Sequence, residues 1–446
     1  MEQDLTTGSV FKRIVYFSLP YLLSYFLQTL YGMADLFITG QFYGVDTITA
    51  VSNGSQIMHM MTVIIVGLAM GTTVTIGHSV GAKCMEQAEK IIGNTITLFM
   101  GIAVAFTVIL VVLVKPIVVL IATPQEAVAG TSVYLLICFI GIPFITAYNI
   151  ISSIFRGLGD SKSPMYFIGI ACVMNIALDY LFMGAFHMGA AGAALGTVCA
   201  QTFSVLVALW VIRRRKTGIS LKKSDFKIER AVIGQVLKIG IPVALQDGFI
   251  QVAFMIITVI ANSRGVSDAA AVGVVEKVIS ALFIVPSSML ATVSALSAQN
   301  LGAGKEKRAT DTLHYATVIT TIYGMIVAVL IQFIAENVVG IFTSDTTVVT
   351  MGSAYIRSYI WDCIFAGIHF SFSGYFAACG KSYIGFLHNI ISITFVRVPG
   401  SYLASKYFTD TLYPMGLAAP AGSLVSVAIC VTAFILLKKK SRVAQT

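Results

Sequence analysis

Charge is the scarcest commodity in this sequence. Lys, Arg, Asp and Glu make up 11% of its 446 residues, against roughly a quarter in soluble domains, which excludes a water-soluble globule. Cysteine is sparse and unpatterned. The seven cysteines show no CxxC or CxxC…H spacing and five fall inside apolar runs, so neither a disulfide framework nor a zinc site is indicated. HExxH is absent, and GxSxG occurs only as "GHSVG" (77–81) at the end of an apolar helical run, without the strand-to-helix turn that motif needs, which removes the usual grounds for a membrane-embedded enzyme. A complete phosphate-binding loop is absent too. "CGKS" (379–382) resembles the end of one, but the motif needs glycine at 375, where Tyr375 stands. With no other ATPase motif, energy for any transport has to come from an ion gradient.

What the chain has in quantity is apolar length: 57% of its residues are hydrophobic and the mean hydropathy is +0.88. Runs of about 20 apolar residues, enough to cross a bilayer, recur between turns marked by proline or glycine. The pattern predicts twelve helices near 14–40, 52–80, 91–121, 130–156, 164–185, 189–212, 232–260, 270–300, 311–341, 351–377, 383–405 and 415–437. No signal peptide is expected ahead of the first. The expected product is an all-α integral membrane protein.

Positive charge orients it. Of 29 Lys and Arg, 22 lie in the termini and the even-to-odd loops, eight of them in "RRRKTGISLKKSDFKIER" (213–230). The positive-inside rule then predicts cytoplasmic termini in a multi-pass cell-membrane protein. The net charge of +9 is therefore read as topology facing anionic lipid, and no nucleic-acid partner is expected.

The chain also repeats itself. Pro20 matches Pro242 at a displacement of 222, and Gly81 with Gly302, Tyr134 with Tyr355 and Gly159 with Gly380 all match at 221. One register over so many helices implies two parallel six-helix repeats, related by a pseudo-two-fold axis along the membrane normal. The expected division is 1–213, a basic linker 214–231, and 232–446.

Five carboxylates fall in helix interiors, away from the ends: Asp35, Asp179, Asp247, Glu276 and Asp362. Each costs on the order of 2.5 to 3.5 kcal/mol at a helix centre, which makes an intramembrane acid a functional hypothesis by default. Counting in from the helix ends at 1.5 Å per residue, Asp35, Asp179 and Thr197 share a depth roughly 8 to 12 Å below the outer surface. Asn175 lies one turn from Asp179 on the same face. Two carboxylates, an amide oxygen and a hydroxyl suit a hard cation such as Na⁺; the same pair of acids could instead share protons. Register counterparts of Asn175 and Asp179 in the second half are Val396 and Gly400, and Asp35 falls on Ile256 or Ile257. The oxygen cluster is thus expected in one half only.

Taken together, Pro20 and Asp35 in helix 1, "GAKCMEQA", "FRGLGDSKSP", "NIALD" and "GAAGAALGTVCAQ" resemble the multidrug and toxic compound extrusion (MATE) transporters, and Asp179 looks more like the DinF-type branch than the NorM-type. The resemblance implies export of organic compounds against inward Na⁺ or H⁺. It implies a first-half cation site at Asp35, Asn175, Asp179 and Thr197, with Tyr31, Asn149 and Gln28 as neighbours, and a bend of helix 1 at Pro20. It also places Asp247 and Asp362 in the helices that carry the second-half acids of NorM-type members, displaced from the family register, as a further polar site.

Among other residues, Arg357, Asp362 and Arg397 are expected to form an internal ion pair, and Lys115 and Glu336 to reach the membrane interface. Gly192 and Gly196 read as a helix-packing pair. The functional expectation is a monomeric, cation-coupled antiporter of cationic or amphiphilic organic compounds, without cofactor beyond the coupling ion and with membrane lipids around it. A lipid-linked oligosaccharide flippase of a related superfamily is the alternative, which a strongly cationic lumen would mark.

Overall fold

The computed structural model describes residues 4–214 and 220–443. Arg215 and Lys216 of the basic linker lie outside the described residues, as do the extreme termini. Every regular element among the described residues is helical. Joining elements that follow one another without a loop gives twelve rods. In the first half these are α1 (Val10–Phe42), α2 (Val45–Gly81), α3 (Met85–Leu120), α4 (Val128–Ile140 and Ile142–Gly157), α5 (Lys162–Asp179, continued by a π-helical turn, Tyr180–Ala185) and α6 (Gly189–Arg214). The second half holds α7 (Arg230–Asn262), α8 (Val266–Leu282 and Ile284–Gly302), α9 (Glu306–Gly340), α10 (Thr346–Tyr359 and Asp362–Ala378), α11 (Ser382–Ser392, a π-helical turn Ile393–Arg397, and Val398–Tyr407) and α12 (Tyr413–Gly416 and Ala418–Val443). Among the described residues, eight helical spans are long and apolar enough to cross a membrane, nine with the bent α4 counted as one span.

Two of the breaks inside rods follow from proline. Pro143 cannot donate to the carbonyl four residues earlier, and α4 bends by 51° there. The carbonyl left over, that of Phe139, accepts instead from the Thr107 hydroxyl at 3.0 Å. Pro286 repeats the device in α8, where the Leu282 carbonyl accepts from the Tyr323 hydroxyl at 3.0 Å. In a bilayer no water is at hand to do this, so a neighbouring helix must supply the donor.

The repeat register is visible in the backbone. Gly159 and Gly380 both sit at positive φ, +91° and +68°, the conformation that glycine adopts without strain. Each closes its helix with the same pair of bonds: Gly159 N–H to Arg156 O and Asp160 N–H to Phe155 O, matched by Gly380 N–H to Ala377 O and Lys381 N–H to Phe376 O. "CGKS" is therefore a helix C-cap. Gly81 and Gly302 mark a close helix crossing, since a methyl on Gly81 would sit 2.0 Å from the Gln299 carbonyl oxygen and one on Gly302 2.1 Å from that of His78.

Contacts group the chain into two units. One comprises residues 19–244, 298–304 and the stretch ending at Thr7; the other comprises 8–18, 245–297 and 305 onward. Pro20 and Pro242 each stand within three residues of a change of unit along α1 and α7. In the first unit, the core beneath the acids is built from residues such as Ile38, Tyr134, Phe139, Ile142 and Met183. The central linker is clamped to α3, where Asn94 donates to Asp225 O at 3.0 Å and accepts from Glu229 N–H at 2.7 Å. The second unit has its own core around Val272, Val275, Tyr355, Ile356 and Cys363. Arg264, one of the few cations on the side opposite the basic loops, pairs with Asp268 at 2.6 Å and takes the carbonyls of Ser405, Phe408 and Thr409 at 2.9 Å each, which ties two loops together.

Candidate functional site

Three helices of the first unit bring Asp35, Asn175, Asp179 and Thr197 to one place. α1 supplies Asp35, α5 supplies Asn175 and Asp179, and α6 supplies Thr197; all four are buried, the two acids at 3% and 0% exposure. Thr197 Oγ1 donates to Asp35 Oδ2 and Asn175 Nδ2 to Asp179 Oδ1, both at 3.5 Å, the long end of hydrogen bonding. The Asp35 and Asp179 carboxyls lie within hydrogen-bonding reach of one another. Among the described residues, Asp35 Oδ1, Asn175 Oδ1 and Asp179 Oδ2 have no donor. Acceptors face acceptors, an arrangement that a proton, a cation or the donor of a bound molecule satisfies.

Local structure holds the geometry. Asp179 is the last α-helical residue before the π-helical turn of α5; such turns insert an extra residue and recur at functional positions. The Tyr43 hydroxyl donates to Met183 O at 3.0 Å and accepts from Gly189 N–H at 2.9 Å, pinning the turn that joins α5 to α6. Tyr31 lies beside Thr197 and Asp35, and Tyr134 and Cys138 stand in the wall around Asp35.

The other expected neighbours fare differently. Asn149 donates its amide to Ile145 O in its own helix at 2.8 Å. Gln28 is half-buried on α1 and takes no part in the two hydrogen bonds of the cluster. Two residues escaped sequence reasoning. Gly196 was read as packing, yet a methyl there would meet Asp179 Oδ1 at 2.1 Å and Asp179 Cγ at 3.3 Å: the glycine is the seat of the carboxylate. Gly192 keeps the packing role, facing Met183 Cγ at 3.0 Å. Gln201, one turn beyond Thr197, is 7% exposed with no partner for Oε1; its i+4 spacing from Thr197 was the available signal.

In the second unit the expected ion pair is corrected. Arg357 goes to Glu336 at 3.2 Å, so Glu336 is an ion-pair partner as well as an exposed residue. Asp362 and Arg397 line one cavity, but no ion pair within 4 Å joins Arg397 to a carboxylate among the described residues, because Arg397 is drawn instead to the Tyr359 hydroxyl and the Phe254 ring. Asp247 is half-buried on α7 and is not among the residues lining this cavity. Glu276 accepts from Thr258 at 3.3 Å.

Known proteins place this architecture. The MatE family model matches twice, at residues 20–181 and 242–403, two copies displaced by 222 residues, in agreement with the repeat register. The probable multidrug resistance protein YpnP of Bacillus subtilis is 30% identical over 415 residues, covering 93% of either chain. The multidrug export protein MepA of Staphylococcus aureus is 23% identical over 374 residues, covering 83% of this chain and 82% of its own. Among solved structures, a MOP superfamily transporter from Pyrococcus furiosus superposes with a TM-score of 0.91 at 20% identity, over 99% of this chain and 98% of that one. With the family model matched in both halves and a 30%-identical relative along nearly the whole length, the chain belongs to the MatE family and is a multi-pass membrane transporter, not an enzyme.

Proposed function

We propose that this chain is a cation-coupled antiporter that exports small organic compounds, cationic or amphiphilic, by alternating access, with Na⁺ or H⁺ exchanged at the Asp35–Asp179 cluster and both termini in the cytoplasm. One observation carries the reading: two buried carboxyls face each other with three acceptor oxygens left without donors. Two ionised carboxylates so placed repel in a low dielectric and lack the water that would stabilise them. A proton shared between them removes one charge, and a Na⁺ ion finds two carboxylates, an amide oxygen and a hydroxyl within reach. Either particle stabilises the closed packing of α1, α5 and α6, and its loss destabilises it. An ion that binds one conformation better than another shifts the balance between them, which is the requirement for coupling.

An organic cation can neutralise the same carboxylates, so ion and cargo compete for one negative charge. The names of YpnP and MepA support a drug-like cargo. Pro20 supplies the flexible point on α1: it removes one rung of the helical ladder, and its carbonyl accepts from the Ser24 hydroxyl at 2.7 Å. Next to it, Tyr21 is held by the Arg156 guanidinium 4.4 Å above its ring. The sodium and pH gradients are separable in proteoliposomes loaded with a fluorescent organic cation such as ethidium. Efflux is expected on imposing one of the two gradients, without ATP. Asp35→Asn and Asp179→Asn are each expected to abolish it while the purified protein keeps its thermal stability; wild-type efflux in either variant sinks the proposal.

A further inference from the structure

The second unit contains a cavity that the cation cluster does not use. It is open at its mouth, and its lining includes the apolar Phe254 and Phe283 and the polar Asp362, His369 and Arg397. Arg397 is 9% exposed. Of the five N–H donors of a guanidinium, one goes to the Tyr359 hydroxyl, and the buried Nε has no partner. The group lies over the Phe254 ring at 4.9 Å and the Tyr359 ring at 5.6 Å. Across the same cavity Asp362 is 1% exposed with Oδ1 unpartnered, and His369 Nδ1 is likewise without a partner.

A structural ion pair would bring the two charges into contact. Here they line the same cavity more than 4 Å apart, each with hydrogen-bonding capacity left over. Stacking on aromatic faces recovers only part of the cost of burying a cation, so a ligand that completes the set gains what the protein leaves unmade. A simple anion suits Arg397 but meets the field of Asp362, with Glu276 nearby. A simple cation has the opposite problem. We propose that this cavity is a binding subsite for a zwitterionic organic molecule: its carboxylate on the open edge of Arg397, its ammonium on Asp362 Oδ1, and its apolar frame against Phe254 and Phe283.

The test is a binding ranking on the full-length protein in lipid nanodiscs. The probes are 4-(aminomethyl)benzoate, a zwitterion at neutral pH, with benzoate and benzylamine as its separate halves. Titration calorimetry gives affinities, and their change in variants of the cavity's two charged residues reports occupancy of this cavity. The zwitterion is expected to bind at least about tenfold tighter than either half. Arg397→Gln should reduce its affinity to that of benzylamine, and Asp362→Asn to that of benzoate. Benzylamine binding as tightly as the zwitterion overturns the proposal in favour of a plain cation site. Benzoate binding as tightly, or no probe binding at about 10 mM, overturns it as well. Should a variant fail to fold, the wild-type ranking of the three probes decides alone.

Discussion

The helices α5 and α11 occupy equivalent places in the two repeats, and each is interrupted by a π-helical turn beside a buried charge. Asp179 immediately precedes the turn in α5, and Arg397 closes the one in α11. The backbone device is shared and the charge is reversed. In the first half the acid faces a second acid and two neutral polar groups; in the second, the cation faces aromatic rings and a carboxylate held at a distance. Gly196, which leaves room for Asp179, has Leu417 at its register position, so the second half does not provide the seat that the first does. A repeat conserves what packing needs and leaves the chemistry of each half free.

The substitution that probes this comparison hardest, after those of the two aspartates, is Gly196→Ala. A methyl 2.1 Å from Asp179 Oδ1 displaces the carboxyl, the movable partner of the contact. Ion-driven efflux is expected to fall by about tenfold or more in a protein that still folds. Gly192→Ala, whose methyl would press on the flexible Met183, should cost mainly stability. Equal efflux in the two variants would return Gly196 to a packing role.

Thr197→Val comes next, with an expected loss of about two- to fivefold, because a long hydrogen bond of 3.5 Å contributes about 1 kcal/mol or less. It also separates the ions. If Na⁺ is the coupling ion, removing an oxygen ligand raises the sodium concentration at half-maximal efflux; if H⁺ is, sodium dependence does not enter and the pH gradient drives the residual transport. The smallest effect compares the halves at a turn. Lys83 holds a positive φ of +58° where its counterpart Gly304 holds +71°. Lys83→Gly should stabilise the protein by about 1 kcal/mol, and Gly304→Lys, which has nothing within 4 Å of its added carbon, should destabilise it by a similar amount. Thermal unfolding in detergent measures both, with efflux unchanged.

Much of this was legible in the chain itself. The count of rods, the repeat register, the C-cap disguised as a phosphate loop and the grouping of Asp35 with Asn175, Asp179 and Thr197 follow from hydropathy, spacing and depth. Each of these depends on a residue's own position along a helix, which a rise of 1.5 Å per residue converts into height in the membrane. Depth does not give lateral direction, and that is where the reading failed. Arg357 reaches Glu336 rather than Asp362.

The sequence by itself determined a membrane protein of two equivalent halves, with an acid cluster in one of them, because transfer free energy and helical periodicity are local properties of the chain. Tertiary structure alone decided that Gly196 is the seat of Asp179, that three oxygens in the cluster are left without donors, and that Arg397 and Asp362 share a cavity without touching. Those facts depend on approaches of a few ångströms between helices distant in sequence, and side-chain packing, not composition, sets them.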